Sequence, residues 1–315
     1  MPIDTETALA ADPQISEISW TTTDVLLYHL SLGAGSRADD PELTLTFERD
    51  LKVLPTFGLV AGHGPSAAAP GPSAQAADAP SDPSGSAGAK SGADAATASD
   101  PARMRLPGID VDLRAVLHAG QSLTAHRPLP TSGTAEVRRC VPKVHDLGKA
   151  ALIVLETTAT DSDGPLWTEH SQIYVRGEGG FGGDPAPASQ PVPERAPDTR
   201  VRIVTRPDQA LLYRLNGDLN PLHIDPDFAR TAGLPGPILH GLATYGIIAK
   251  ALTDIAADGR PELVAEVSAR FTGMVTPGDA LILDVWETGS DQRAYRACVD
   301  GSRQAALDEG VLNLR

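Results

Sequence analysis

The sequence has little that would tie it to an oxidising compartment, a membrane or a nucleic acid. Only two cysteines occur in 315 residues, Cys140 and Cys298, with no C-x-x-C pair, which argues against a disulfide framework or a zinc site. No run of roughly 18 apolar residues exists, so no membrane span is expected. Met1-Pro-Ile-Asp-Thr-Glu-Thr offers neither a basic start nor an apolar stretch, so no secretory signal is expected and the cytoplasm is the expected location. Positive charge is scarce, with 26 Lys and Arg against 41 Asp and Glu. A net charge of -15 repels nucleic acid and anionic membrane surfaces as a whole, so neither is expected as a partner. An anionic ligand would need arginines placed locally against that field. No G-x-x-x-x-G-K-[ST] P-loop and no G-x-S-x-G elbow occurs.

What is present is a globular chain, 41% hydrophobic, long enough for one large domain or two modest ones. From about residue 61 to 100, Ala, Gly, Ser, Pro and Asp displace nearly every large apolar residue. Such a stretch cannot bury enough surface to offset its ordering entropy, and it reads as a disordered insert. A second break, Gly177 to Asp198, is rich in Gly and Pro and separates two similar halves.

In the second half a helix is expected over Pro237–Asp254, apolar on almost every side and therefore interior. Strands follow near Glu262–Thr272, Ala280–Glu287, Arg293–Asp300 and Gln304–Leu314, divided by turn signals such as Thr276-Pro-Gly-Asp279. The first half ends alike, with strands near Gln121–Arg127, Thr134–Val144, Ala150–Thr160 and Leu166–Arg176. Asp161-Ser-Asp-Gly164 marks a hairpin. This pattern predicts an α+β fold made by duplication of one unit, an antiparallel sheet wrapped around a buried helix. The repeat is expected in structure rather than in visible text.

Asn216-Gly-Asp-Leu-Asn-Pro-Leu-His-Ile-Asp-Pro226 concentrates turn formers with a carboxylate, an amide and an imidazole. Asx turns ahead of a helix would account for much of it. The chemical reading is that Asp218 and His223 share one water, a carboxylate and an imidazole being suited to base work. His240-Gly241 opens the interior helix, whose first amides have no partner within the helix. Because Gly241 lacks a side chain, a carbonyl oxygen can approach its N–H closely, as an oxyanion site requires; tight packing of the helix start explains the glycine equally well.

Two decoys fail on context. Gly177-Glu-Gly-Gly-Phe-Gly182 matches the dinucleotide fingerprint, but Gly183-Asp-Pro-Ala-Pro cannot form the required helix. His223-Ile-Asp225 lacks further metal ligands nearby, and Asp225-Pro226 reads as a helix cap, so no metal is expected. His29, His63, His126, His145 and His170 have no catalytic context.

Tyr213-Arg-Leu-Asn-Gly-Asp-Leu-Asn-Pro-Leu-His-Ile-Asp-Pro-Asp-Phe-Ala229 and Gly236-Pro-Ile-Leu-His-Gly-Leu-Ala-Thr-Tyr-Gly246 together resemble the signature of the MaoC-like (R)-specific enoyl-CoA hydratases, hydratase 2. Gly33-Ala-Gly35, Glu48 to Phe57, Gln121 to Pro130 and Arg176 to Gly183 are similar to that family as well. The resemblance implies a double hotdog: an N-terminal repeat, 1–183, that shapes the acyl tunnel, a linker, 184–198, and a catalytic repeat, 199–315. It implies that Asp218 and His223 activate water, that Asn220 supports the segment, and that Gly241 N–H takes the thioester oxygen. Phe271 and His118-Ala119 match ligand-contacting positions. An acyl-CoA thioester is the implied partner, coenzyme A entering only as part of the substrate, with no cofactor and with a homodimer as the assembly. Two departures stand out: His118-Ala119 where the family has His-Gly, and Asp146-Leu147-Gly148 where it has Asp-Lys-Gly, with Lys149 available nearby. The implied activity is addition of water to a fatty or sterol-derived trans-2-enoyl-CoA. A hotdog thioesterase or a non-catalytic acyl-thioester binder are the competing readings.

Overall fold

Alternation sets the strands. In Ala280–Glu287, Leu281, Leu283 and Val285 are buried while Ile282 and Asp284 between them are only half-buried, the period of two that marks one core-facing side of a sheet. The computed structural model describes residues 3–36, 39–65, 103–302 and 304–315. Within these the chain runs α1 (Thr5–Ala10), β1 (Gln14–Trp20), α2 (Thr22–Ser31), α3 (Leu43–Thr46), a five-residue 3-10 turn Pro55–Leu59, then β2 (Arg103–Leu106), β3 (Ile109–Asp112), β4 (Val116–Ala125), β5 (Gly133–Asp146), β6 (Ala150–Asp161) and β7 (Gly164–Arg176). The second half follows with β8 (Thr199–Val204), α4 (Gln209–Tyr213), α5 (Pro226–Thr231), α6 (Gly241–Ala257), β9 (Val264–Phe271), β10 (Ala280–Glu287), β11 (Gln292–Val299) and β12 (Ala305–Leu314).

Ten of these strands form one sheet in the order β1-β5-β6-β7-β4-β9-β12-β11-β10-β8. Read outward from the β4–β9 seam, both halves repeat one order, β4-β7-β6-β5-β1 on one side and β9-β12-β11-β10-β8 on the other. Duplication of an α+β unit is therefore present in the topology, and the fold is a double hotdog. The seam is continuous: Gly120 pairs with Arg270 and Thr124 with Glu266 in an antiparallel ladder. Across its end the Arg315 guanidinium donates to the carbonyls of Ala125 and His126 in one half and of Glu262 in the other, at 2.7, 3.0 and 3.0 Å.

The repeat is also visible in text, contrary to the expectation. Leu26-Leu27-Tyr28-His29-Leu30-Ser31 in α2 and Leu211-Leu212-Tyr213-Arg214-Leu215-Asn216 at α4 share a pattern, and the two helices pack together. Ser31 Oγ donates to the Tyr28 carbonyl at 2.7 Å, as Asn216 Nδ2 does to the Tyr213 carbonyl at 2.9 Å. Asn216 Nδ2 also donates to Ser31 Oγ at 3.0 Å, which joins the two copies.

Helix α6 is the interior helix, with Ala243, Tyr245, Ile247, Ile248, Ala249 and Leu252 buried. Full burial of Ile248 and Leu252 stabilises the fold by roughly 1.5–3 kcal/mol each. It begins at Gly241 rather than at Pro237, because Leu239 N–H is taken by the Val275 carbonyl at 2.7 Å and His240 is extended at ψ 136°. A Cβ on Gly246 would lie 2.8 Å from the Tyr28 hydroxyl and from Leu32, so glycine lets α6 and α2 touch. Among the described residues, the matching stretch of the first half, Phe57-Gly58-Leu59, lies in the turn Pro55–Leu59. The expected insert lies mostly outside the described residues, at 66–100, but its start is displaced: Ala61 is buried in the main core. The edge strands β1 and β8 and the β2–β3 hairpin were not anticipated. A second apolar cluster gathers α1, the hairpin and the far ends of β5, β6 and β7 around Ile109, Val111, Ile153 and Val175.

Candidate active site

The segment after α4 is shaped by short-range polar bonds. Gly217 takes φ 115°, a turn that a side chain would disfavour, and its Cβ would strike His63. Asn220 Oδ1 accepts from Leu222 N–H at 3.0 Å and caps the 3-10 turn Pro221–His223. Asp218 Oδ1 accepts from Asn220 N–H at 3.2 Å. Asp225 accepts from the backbone N–H groups of Asp227 and Phe228 and caps α5, as its sequence position suggests.

These bonds present Asp218 and His223 to one another. His223 Nε2 lies 4.0 Å from Asp218 Oδ2, with the His223 side chain 10% exposed and that of Asp218 52%. Nδ1 of His223 faces the Ile238 carbonyl at 2.9 Å. A carbonyl only accepts, so the proton of neutral His223 sits on Nδ1 and Nε2 keeps its lone pair toward Asp218. A water held at about 2.8 Å from each group fits the gap between them.

His240 completes the arrangement, and sequence reasoning had not given it a role. Its ring stacks on His223 with centroids 3.7 Å apart, and Nε2 meets the Asp218 carbonyl at 3.3 Å. Burial, and then the neighbouring His223, push its pKa down to about 4, so near neutrality it is an uncharged wedge that fixes both partners. Tyr213 lies behind it with ring centroids 5.0 Å apart. The one sequence signal for His240 is its place immediately before the glycine that opens an interior helix.

Asp218, His223 and His240 each present a ligand atom within 4.8 Å of the others. The stacking does not suit an ion. Imidazole lone pairs lie in the ring planes, and an ion between two stacked rings would sit out of both planes instead of in line at about 2.0–2.1 Å.

Gly241 supplies the first amide of α6. The space a Cβ would fill there is 3.5 Å from the Phe271 ring, which in turn packs on His118 with centroids 4.6 Å apart. The structure thus brings Phe271 of β9 and His118-Ala119 of β4 to the mouth of α6, although His118 belongs to the other half. A bulge between His118 and Gly120 turns this part of β4. His118 Nε2 contacts Gln121 Oε1 at 3.0 Å, and that oxygen also accepts from Ser171 Oγ at 2.8 Å.

The glycine-rich decoy has its own explanation. Gly180 and Gly182 donate their N–H groups to the Asp146 carboxylate at 2.8 and 2.6 Å, and Gly148 does so at 2.7 Å. These amides hold the Asp146 pKa below the ordinary carboxylate range, and the anion in the cradle is the protein's own. Lys149 is exposed in the β5–β6 turn. Among the remaining histidines, His29 is buried between the Leu45 carbonyl and Leu54 N–H, a structural placement. No helix among the described residues is long and apolar enough to cross a membrane.

Residues 188–308 match the MaoC like domain, and residues 91–177 match the MFE-2 hydratase 2 N-terminal domain. The chain is 44% identical to the enoyl-CoA hydratase ChsH3 of Mycobacterium tuberculosis, over 98% of this chain and 96% of that one. It is 36% identical to the 3-hydroxyacyl-thioester dehydratase Y of the same organism, over 96% of this chain and 94% of the relative. A MaoC-like dehydratase from Phytophthora capsici superposes with a TM-score of 0.81 at 25% identity, covering 99% and 98% of the two chains. With family models on both halves and a near full-length relative at this identity, the chain belongs to the MaoC-like hydratase 2 family.

Proposed function

We infer that the protein is an (R)-specific enoyl-CoA hydratase that adds water reversibly and syn across a trans-2-enoyl-CoA to give the (3R)-3-hydroxyacyl thioester. The observation that carries this reading is the 4.0 Å gap between Asp218 Oδ2 and Nε2 of His223. Water in that gap donates one hydrogen bond to each group, and its oxygen attacks C3. His223 Nε2 takes a proton as the C–O bond forms. The π electrons of the C2–C3 bond move toward the thioester oxygen, where Gly241 N–H and the positive end of the α6 dipole, roughly half a charge, stabilise the developing oxyanion. The proton then returns to C2 on the face from which it left. Acid–base and oxyanion chemistry suffice for every step, so the reading includes no metal or redox cofactor. A cytoplasmic location and a homodimer belong to the same reading; light scattering tests the second.

Asp218→Asn and His223→Gln are expected to fold and to lose hydration of a trans-2-enoyl-CoA, followed as disappearance of the conjugated-thioester absorbance. Unchanged turnover in both variants would sink the assignment. Release of free thiol, seen with a thiol reagent, would replace it with a thioesterase.

A further inference from the structure

Two arms of the second copy reach one residue of the first. Ser31 ends α2, is fully buried, and stands where Asn216 stands in the repeat, three residues after the matching tyrosine. Its carbonyl accepts from Gln209 Nε2 at the start of α4. Its Oγ accepts from Asn216 Nδ2 at 3.0 Å, three residues past the end of α4. Both ends of α4 are thus held to a single residue of the other copy. Gln209 and Asn216 are buried as well, so these bonds are made out of reach of bulk water, where they are electrostatically stronger.

From α4 the chain leads straight to the acid–base pair. Asn216 precedes Gly217, whose φ of 115° turns the backbone into Asp218. Tyr213, the last residue of α4, packs on His240, and His240 stacks on His223. A shift of α4 therefore reaches Asp218 through the main chain and His223 through two rings. Apolar contacts between α2 and α4 are non-directional and do not fix such a shift, whereas hydrogen bonds hold direction as well as distance.

Symmetry sets the chemistry of the contact. The mirrored strand order about the antiparallel β4–β9 pair defines a local two-fold axis. Because Ser31 and Asn216 hold matching positions, their bond straddles that axis, as do the rings of Tyr28 and Tyr213 with centroids 6.3 Å apart. Each residue also donates to the carbonyl three positions back, Ser31 to Tyr28 at 2.7 Å and Asn216 to Tyr213 at 2.9 Å. Two serines would commit both hydroxyl protons to those carbonyls and leave none for the axis. An amide has two protons, so one asparagine facing one serine satisfies all the acceptors.

We propose that Ser31 of the first copy is a positioning residue for hydration: through Gln209 and Asn216 it sets the place of α4 and with it the spacing of Asp218 and His223. This rests on the hydratase reading for the role of that pair. The test uses the full chain and three variants: Ser31→Ala, Asn216→Ser, and the reciprocal exchange of Ser31→Asn with Asn216→Ser, which restores an amide to the axis with the donor on the other copy. Each single variant is expected to lower kcat for a trans-2-enoyl-CoA by about tenfold with KM unchanged, because the contacts at Gly241 and Phe271 stay in place while the water-holding pair drifts. The exchange is expected to bring kcat back to within about twofold of wild type. Ring resonances of His223 and His240 in isotope-labelled, substrate-free protein should shift in both single variants and return in the exchange. A lowered melting temperature with kcat and the resonances unchanged would make Ser31 merely structural and overturn the proposal, as would losses that the exchange does not restore. A wild type that hydrates no 2-enoyl thioester, with resonances that shift and return as described, would leave the positioning intact and remove the hydratase reading.

Discussion

The two copies of one unit have diverged in opposite directions. Five and seven residues after Tyr213 stand Asp218 and Asn220; five and seven after Tyr28 stand Gly33 and Gly35. His240-Gly241-Leu242 opens a 17-residue helix, whereas Phe57-Gly58-Leu59 closes a five-residue turn. One copy keeps the polar groups and the long helix dipole; among the described residues the other has glycines and a short turn at the matching places. In the hydratase reading, Asp218, His223 and Gly241 all belong to the second copy, and the first contributes His118 beside Phe271.

Paired substitutions can break this contrast. The largest separation is expected at the glycines. A Cβ at Gly241 has 3.5 Å of clearance from Phe271, so Gly241→Ala should fold and melt normally while a crowded amide lowers kcat/KM by roughly a hundredfold. The same Cβ at Gly58 meets the Trp167 ring at 3.0 Å, and Gly58→Ala should lower the melting temperature with kcat intact. If both variants lose only stability, the functional asymmetry is refuted.

The next contrast uses the residues just before those glycines. His240→Phe retains a ring against His223 but loses the bond to the Asp218 carbonyl, and a drop in kcat of about tenfold is expected from steady-state kinetics. Phe57→His places an imidazole where Phe57 is 1% exposed, with an expected cost of roughly 1–3 kcal/mol in denaturant unfolding and no change in kcat.

The smallest effect concerns pH. Glu169 has a folded pKa of about 7 above an ordinary 4.5, so the folded state holds its proton longer than the unfolded state does. Its contribution to stability is complete below pH 4.5 and is lost as pH rises through 7. Glu169→Gln should flatten that decline in melting temperature between these values; an identical decline would place the cause elsewhere.

Much of the site was legible because it is local. Asp218, Asn220 and His223 lie within six residues, and their orientation comes from bonds between near neighbours. The interior helix and most strands were legible from periodicity and turn residues. What stayed hidden depends on distant partners. Stacking of His240 on His223 joins positions 17 residues apart, and the carbonyl that sets the His223 tautomer comes from Ile238. The strand assigned from Gln121 begins at Val116, because pairing with β7 recruits residues whose own pattern is irregular at the bulge. Edge strands β1 and β8 carry exposed Ile15 and Val204, which blur the alternation.

The seam between β4 and β9, stapled by Arg315, leaves no joint about which one half could swing against the other. Hinge-bending of one half against the other would have to break the β4–β9 ladder and the three Arg315 bonds at its end. In the hydratase reading, substrate enters and leaves a frame whose two halves keep their mutual orientation throughout turnover.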